Sequence, residues 1–228
     1  MADACNGLAV TYKYSGRFDD AEALYARALR ILERQLGAEH PDVAAVHHNL
    51  GGLAHARGRF AEAEAPARRA VAIREAALGP DHVDVAADKA ALASILDAIG
   101  RGDEAEQLLT DALAAFERAL GPSHYEIAVN LHNLASLHHR RGETAQAEPL
   151  YRRALDMKED LLGPDHPDLA TTLSNLALAR CALGDPREAH DLVERAIAIL
   201  DRSVEPDHPT LVNCREVHAD LRSALDGR

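Results

Sequence analysis

Thirteen histidines, three cysteines and 37 carboxylates are the side chains of this 228-residue chain with the means to do chemistry. Their spacing decides how much is on offer. His48 with His55, and His132 with His139, are pairs seven residues apart. Seven residues on a helix are two turns, about 10 Å, too far for two ligands of one metal ion. His138 and His139 are adjacent and point in different directions. No HExxH, GxSxG, glycine-rich phosphate loop or acidic pair in a fixed local motif accompanies them. Cys5, Cys181 and Cys214 are odd in number and lack CxxC spacing, so they read as reduced thiols of a cytoplasmic protein. The expectation is no catalytic residue, no metal ligand and no cofactor: the chain is not read as an enzyme.

Scattered side chains need elements to place them, and here the elements recur. A period of 42 residues runs along nearly the whole chain. A turn glycine repeats at Gly16, Gly58, Gly100, Gly142 and Gly184, and a histidine at His40, His82, His124, His166 and His208. Alanines repeat at Ala21, Ala63, Ala105, Ala147 and Ala189, and a Leu-Gly step at Leu36, Leu78, Leu120 and Leu162 is broken only at Val204-Glu205. Five of the histidines thereby become loop residues that precede a helix, a structural role.

Each unit reads as two antiparallel helices. Pro41 and Asp42 suit a helix start, Val43, Val46, Leu50 and Leu53 follow at helical spacing, and Gly58 ends helix A. Helix B begins near Phe60 and turns Ala63, Ala67, Ala70, Val71 and Leu78 inward. Pro66 predicts a local kink. One pair cannot bury both faces, so pairs must stack into an all-α solenoid. Five pairs are expected at roughly 2–36, 42–78, 84–120, 126–162 and 168–204, as a single array over 1–228, closed by a capping helix near 210–226. Its dry stripe is Leu211, Cys214, Val217, Leu221 and Leu225, with Arg215, Glu216, Asp220 and Arg222 outside. At the other end Leu8, Val10, Tyr12 and Tyr14 leave apolar groups without a cap.

Composition bounds the partners. A formal charge of −12 disfavours a nucleic-acid backbone or an anionic membrane, and no apolar run is long enough to span a bilayer. Alanine supplies about a fifth of the chain, so the core must close by packing small side chains.

Asn49-Leu50, Asn133-Leu134-Ala135 and Asn175-Leu176-Ala177 on helix A, the turn glycine, the Ala147–Leu155 segment of helix B and Leu162-Gly163-Pro164-Asp165-His166-Pro167-Asp168 together resemble the tetratricopeptide repeat, in the 42-residue form of kinesin light chains. The third repeat departs most, with Ala91-Leu92 in place of Asn-Leu. The resemblance implies a right-handed α-solenoid of stacked antiparallel pairs, with helix A of each repeat lining a concave face that holds an extended or helical peptide. Carried over position by position, that groove includes Asn6 and Lys13; His48, Asn49 and His55; Ser94; His132, Asn133, Ser136, His139 and Arg140; and Ser174 and Asn175. Asparagine offers the donor and acceptor that a peptide backbone answers. The alternative, each asparagine bonding its own helix backbone, stays open. The four groove imidazoles should gain charge as pH falls toward 6.

Lys13, Arg17, Arg57, Arg59, Arg101, Arg140 and Arg141 run along the A-to-B turns, where they complement helix dipoles and would favour an acidic peptide. Glu22, Glu62, Glu64, Glu104, Glu106 and Glu148 on helix B are expected on a solvated outer face. The expected function is a non-enzymatic protein-interaction scaffold whose partner is a protein or peptide. The alternative is a sensor or assembly arm of a larger signalling protein, such as a signalling ATPase, or a self-associating module, with a further domain or second copy at the N-terminal end.

Overall fold

The computed structural model describes residues 1–226, with side chains as far as Ser223. Eleven helices and no strand occur among the described residues. They are α1 (Ala2–Tyr14), α2 (Phe18–Leu36), α3 (Pro41–Ala56), α4 (Phe60–Leu78), α5 (Val83–Ala98), α6 (Gly102–Leu120), α7 (Tyr125–Arg140), α8 (Thr144–Leu162), α9 (Leu169–Ala182), α10 (Pro186–Leu200) and α11 (Pro209–Asp226). The fifth pair ends at Leu200, short of the expected 204. Val204-Glu205 replaces the Leu-Gly step there, and the chain leaves α10 through a turn over Asp201–Ser203.

The local signals act as their chemistry requires. Gly58 takes φ 70°, and its N–H and that of Arg59 return to the His55 and Ala54 carbonyls, closing the end of α3. The loop histidines share one contact: Nδ1 of His40, His82, His124, His166 and His208 accepts the backbone N–H two residues on, at 3.1–3.3 Å, which makes His40, His82 and His124 the N-caps of α3, α5 and α7. α4 and α8 run continuously through Pro66 and Pro149.

Two compact units divide the chain, Met1–Ala119 and Leu120–Arg228. In the first, α1 packs on α2 and α3 on α4, while the A helices α1, α3 and α5 also touch in succession. Its core holds Ala9, Ala21, Tyr25, Ala28, Val43, Val46 and Ile73. Small residues set the approach of α3 to α4: a Cβ on Gly51 would stand 3.2 Å from the Ala67 methyl. In the second unit α7, α9 and α11 touch in succession, around Ala135, Tyr151, Leu173, Leu176, Val193 and Leu211. The cap stripe is as expected at Leu211, Cys214 and Leu221, which are buried, while the Leu225 side chain lies outside the described residues. Leu78, expected inward, is 38% exposed; Ile73, buried in the core of the same helix, faces inward instead.

Candidate functional site

The helix-A positions of the first unit meet around a cavity of about 210 Å³. α3 contributes His48, Gly52 and His55, α4 contributes Ala67, and α5 contributes Asp88, Ala91, Ser94 and Ile95. Asp88 was not foreseen. Its side chain is fully buried, with Oδ1 2.6 Å from His48 Nδ1 and 2.9 Å from Arg74 Nη1. Oδ2 is buried without a hydrogen-bond partner. The His48 ring remains partly exposed, and the His55 ring packs edge-on against Phe60 at 5.1 Å. Ser94 Oγ donates to the Ala90 carbonyl, and Lys13 reaches across from α1 to lie over Gly52.

The corresponding positions of the second unit form a tighter cluster. Asn175 Nδ2 donates to His132 Nε2 at 3.3 Å, so the ring proton sits on Nδ1 and is donated to Thr172 Oγ1 at 3.1 Å. Lys158 donates to the same hydroxyl and to the Asp168 carbonyl. Burial, then the Lys158 and Arg140 charges, push His132 down to about 4. Arg140 donates to Ser136 Oγ at 2.6 Å.

These contacts correct several expectations. The imidazoles do not charge together near pH 6, because burial lowers His55 and His139 as well as His132. Ser174 is buried, 2% exposed, and close to Cys214, so it packs inside rather than facing the groove. The Asn49 and Asn175 side chains bond neighbouring helices and not their own backbone. Asn49 donates to Asn6 at 2.9 Å, and Asn175 to His132, each joining consecutive A helices. Asn133 is half-buried, with no hydrogen bond from its side chain among the described residues.

The cationic run along the turns is largely neutralised. Arg17 pairs with Asp20, Arg57 with Asp19 and Glu22, Arg59 with Glu62, Arg101 with Glu64 and Glu104, and Arg141 with Glu143. The helix-B glutamates are therefore not a simple solvated face. Glu64 and Glu104 clamp Arg68 at 2.7 and 2.6 Å, and two repeats on Glu148 and Glu188 clamp Arg152 at 2.5 and 2.7 Å.

A family profile of the tetratricopeptide repeat matches residues 1–76, 56–118, 85–160 and 126–202. The chain belongs to the tetratricopeptide repeat family. BtubC (BKLC) from P. vanneervenii is 27% identical, with a TM-score of 0.76 over 90% of this chain and 83% of that one. The kinesin light chain nearly identical TPR-like repeats of Podosopora anserina are 27% identical, with a TM-score of 0.71 over 88% of this chain and 95% of that one. No curated protein matches the chain. The tetratricopeptide repeats are thus of the kinesin light chain type, and such repeats serve as protein-interaction scaffolds. No helix among the described residues is long and apolar enough to cross a membrane.

Sequence reasoning missed two groups of residues. Asp88 meets His48, 40 residues before it, and Arg74, 14 residues before it, only through helix packing that no local motif marks. His190, Glu194 and His218 converge from α10 and α11, and only the His190/Glu194 spacing of one helical turn was visible.

Proposed function

We propose that the chain is a non-enzymatic, cytoplasmic scaffold that holds an extended or helical peptide against its helix-A side chains. The cavity between α3 and α5 carries this reading. At about 210 Å³ it is smaller than the roughly 300–1,000 Å³ of pockets that take whole small molecules, and its size suits one side chain of a larger ligand. Lys13, beside Gly52, supplies the cation that favours a carboxylate on the same ligand; the paired arginines of the turns do not. The acidic character of the partner rests on that lysine.

A peptide-display selection against the full chain tests this. The enriched peptides should carry Asp or Glu beside an anchoring side chain, and Lys13→Glu should weaken them by about tenfold or more with helicity unchanged. Selected peptides without acidic residues, or indifferent to Lys13→Glu, would remove the acidic reading.

A second reading is favoured by α1, where Leu8 is 44% and Tyr14 80% exposed. Apolar groups left open on a terminal helix suit self-association or docking onto a further domain, as in a sensor or assembly arm of a signalling protein. A light-scattering mass above 24.6 kDa that falls to that value in Leu8→Glu/Tyr14→Glu supports self-association. A 24.6 kDa particle in both proteins counts against it.

A further inference from the structure

We infer that His190, Glu194 and His218 form a binding site for a divalent transition-metal ion, with Zn²⁺ the best match, that fastens α11 to α10. His190 and Glu194 lie one turn apart on α10, and His218 faces them from α11. His190 Nε2 and His218 Nε2 are 3.1 Å apart, and Glu194 Oε1 is 3.7 and 3.6 Å from them. Three ligands at Zn–N and Zn–O bonds of about 2.0–2.1 Å in a tetrahedron stand about 3.3 Å from one another, so a single ion can reach all three atoms with small adjustments.

The donor set fits the ion. Two imidazoles and one carboxylate suit Zn²⁺ far better than Ca²⁺ or Mg²⁺, which take oxygen ligands, and the three residues leave a fourth position for water. With one Nε2 protonated the two rings share a hydrogen bond at 3.1 Å, and with both unprotonated two lone pairs oppose each other. A metal ion accepts both lone pairs. His190 then carries its proton on Nδ1, 4.0 Å from Asp191 Oδ1 and outside hydrogen-bond distance of it.

The backbone is already placed for the task. Ala189 and Val193 beside the α10 ligands are buried, as are Cys214 and Leu221 on either side of His218, so core packing holds the two helices in register. The histidine rings are about three-quarters buried while Glu194 stays half exposed, which leaves an entry path for the ion.

Titration of the chelator-treated full chain with ZnCl₂ by calorimetry decides the matter. One ion per chain should bind, raise the thermal midpoint, and lose at least about tenfold in affinity in His190→Ala and in His218→Ala. Absence of binding, or binding unchanged in both variants, would overturn the site. If the variants lose helicity, Co²⁺ loaded into the unaltered chain gives the answer: intense tetrahedral visible bands without thiolate charge transfer support it. A weak octahedral spectrum, or thiolate bands from the cysteines, contradicts it.

Discussion

Tyr25 and Tyr151 occupy the same place in their repeats, three units apart, and both rings are fully buried. Their hydroxyls differ. Tyr25 Oη has no hydrogen-bond partner, and burial raises the group to about 12, whereas the Tyr151 hydroxyl meets Ser136 and Asn175. Removing an unsatisfied polar atom relieves a desolvation cost, and removing a bonded one strands its partners. Tyr25→Phe should therefore leave the thermal midpoint unchanged or higher, while Tyr151→Phe should cost about 1 kcal/mol. Equal losses in the two variants would show that the hydroxyl environments do not differ as described. His132 supplies a pH test at the same scale. Its folded value of about 4 lies below the ordinary value of about 6.5, so between them the unfolded chain binds a proton that the folded chain refuses. Stability should fall as pH drops through that window and be insensitive to His132 above it. A thermal-melt series on His132→Gln should show a shallower loss there; the same slope in both proteins would assign the acid sensitivity elsewhere.

At the scale of helices, the 42-residue period was legible because the same residue types recur: glycine where φ is positive, histidine where a cap accepts an N–H, alanine where α3 and α4 close to contact. A second order, repeating every two units, was not. Arg74, Asp88 and His48 correspond to Lys158, Thr172 and His132, and the Glu64–Arg68–Glu104 clamp corresponds to Glu148–Arg152–Glu188. The first set changes residue type at two of its three positions, and in each set a link runs between helices, as from His48 to Asp88 and from Arg68 to Glu104. That is why a fully buried partner such as Asp88 escaped a reading by helix face. The two arrangements also differ in energy. Arg74 neutralises a carboxylate with no exposure, so Arg74→Ala leaves a buried charge with His48 as its one remaining partner and should cost about 3 kcal/mol. Arg68 is 39% exposed at its side chain, and Arg68→Ala should cost less than about 1 kcal/mol, shrinking further in salt. Denaturant melts that rank Arg68 above Arg74 would contradict the assignment of the buried pair.

Taken over the whole chain, the charge of −12 acquires a structure. Many helix-B carboxylates are engaged by arginines from the turns and from the next repeat, so the apparent cationic edge and the apparent acidic face are largely halves of the same ion pairs. What remains near the first unit's cavity is a lysine, a partly exposed imidazole and a small apolar hollow. Fold and family were legible from the repeat, while the cavity depended on contacts between α3, α4 and α5 that no single repeat contains. The central claim is that this hollow on helix A receives a side chain of a peptide partner. Ala91 lines it, and Ala91→Leu fills it without adding charge. The affinity of a display-selected peptide for the Ala91→Leu chain, measured by calorimetry beside the unaltered chain, tests that claim most directly. A loss of about tenfold or more with unchanged helicity is the expected result; an unchanged affinity would place the peptide elsewhere and contradict the account.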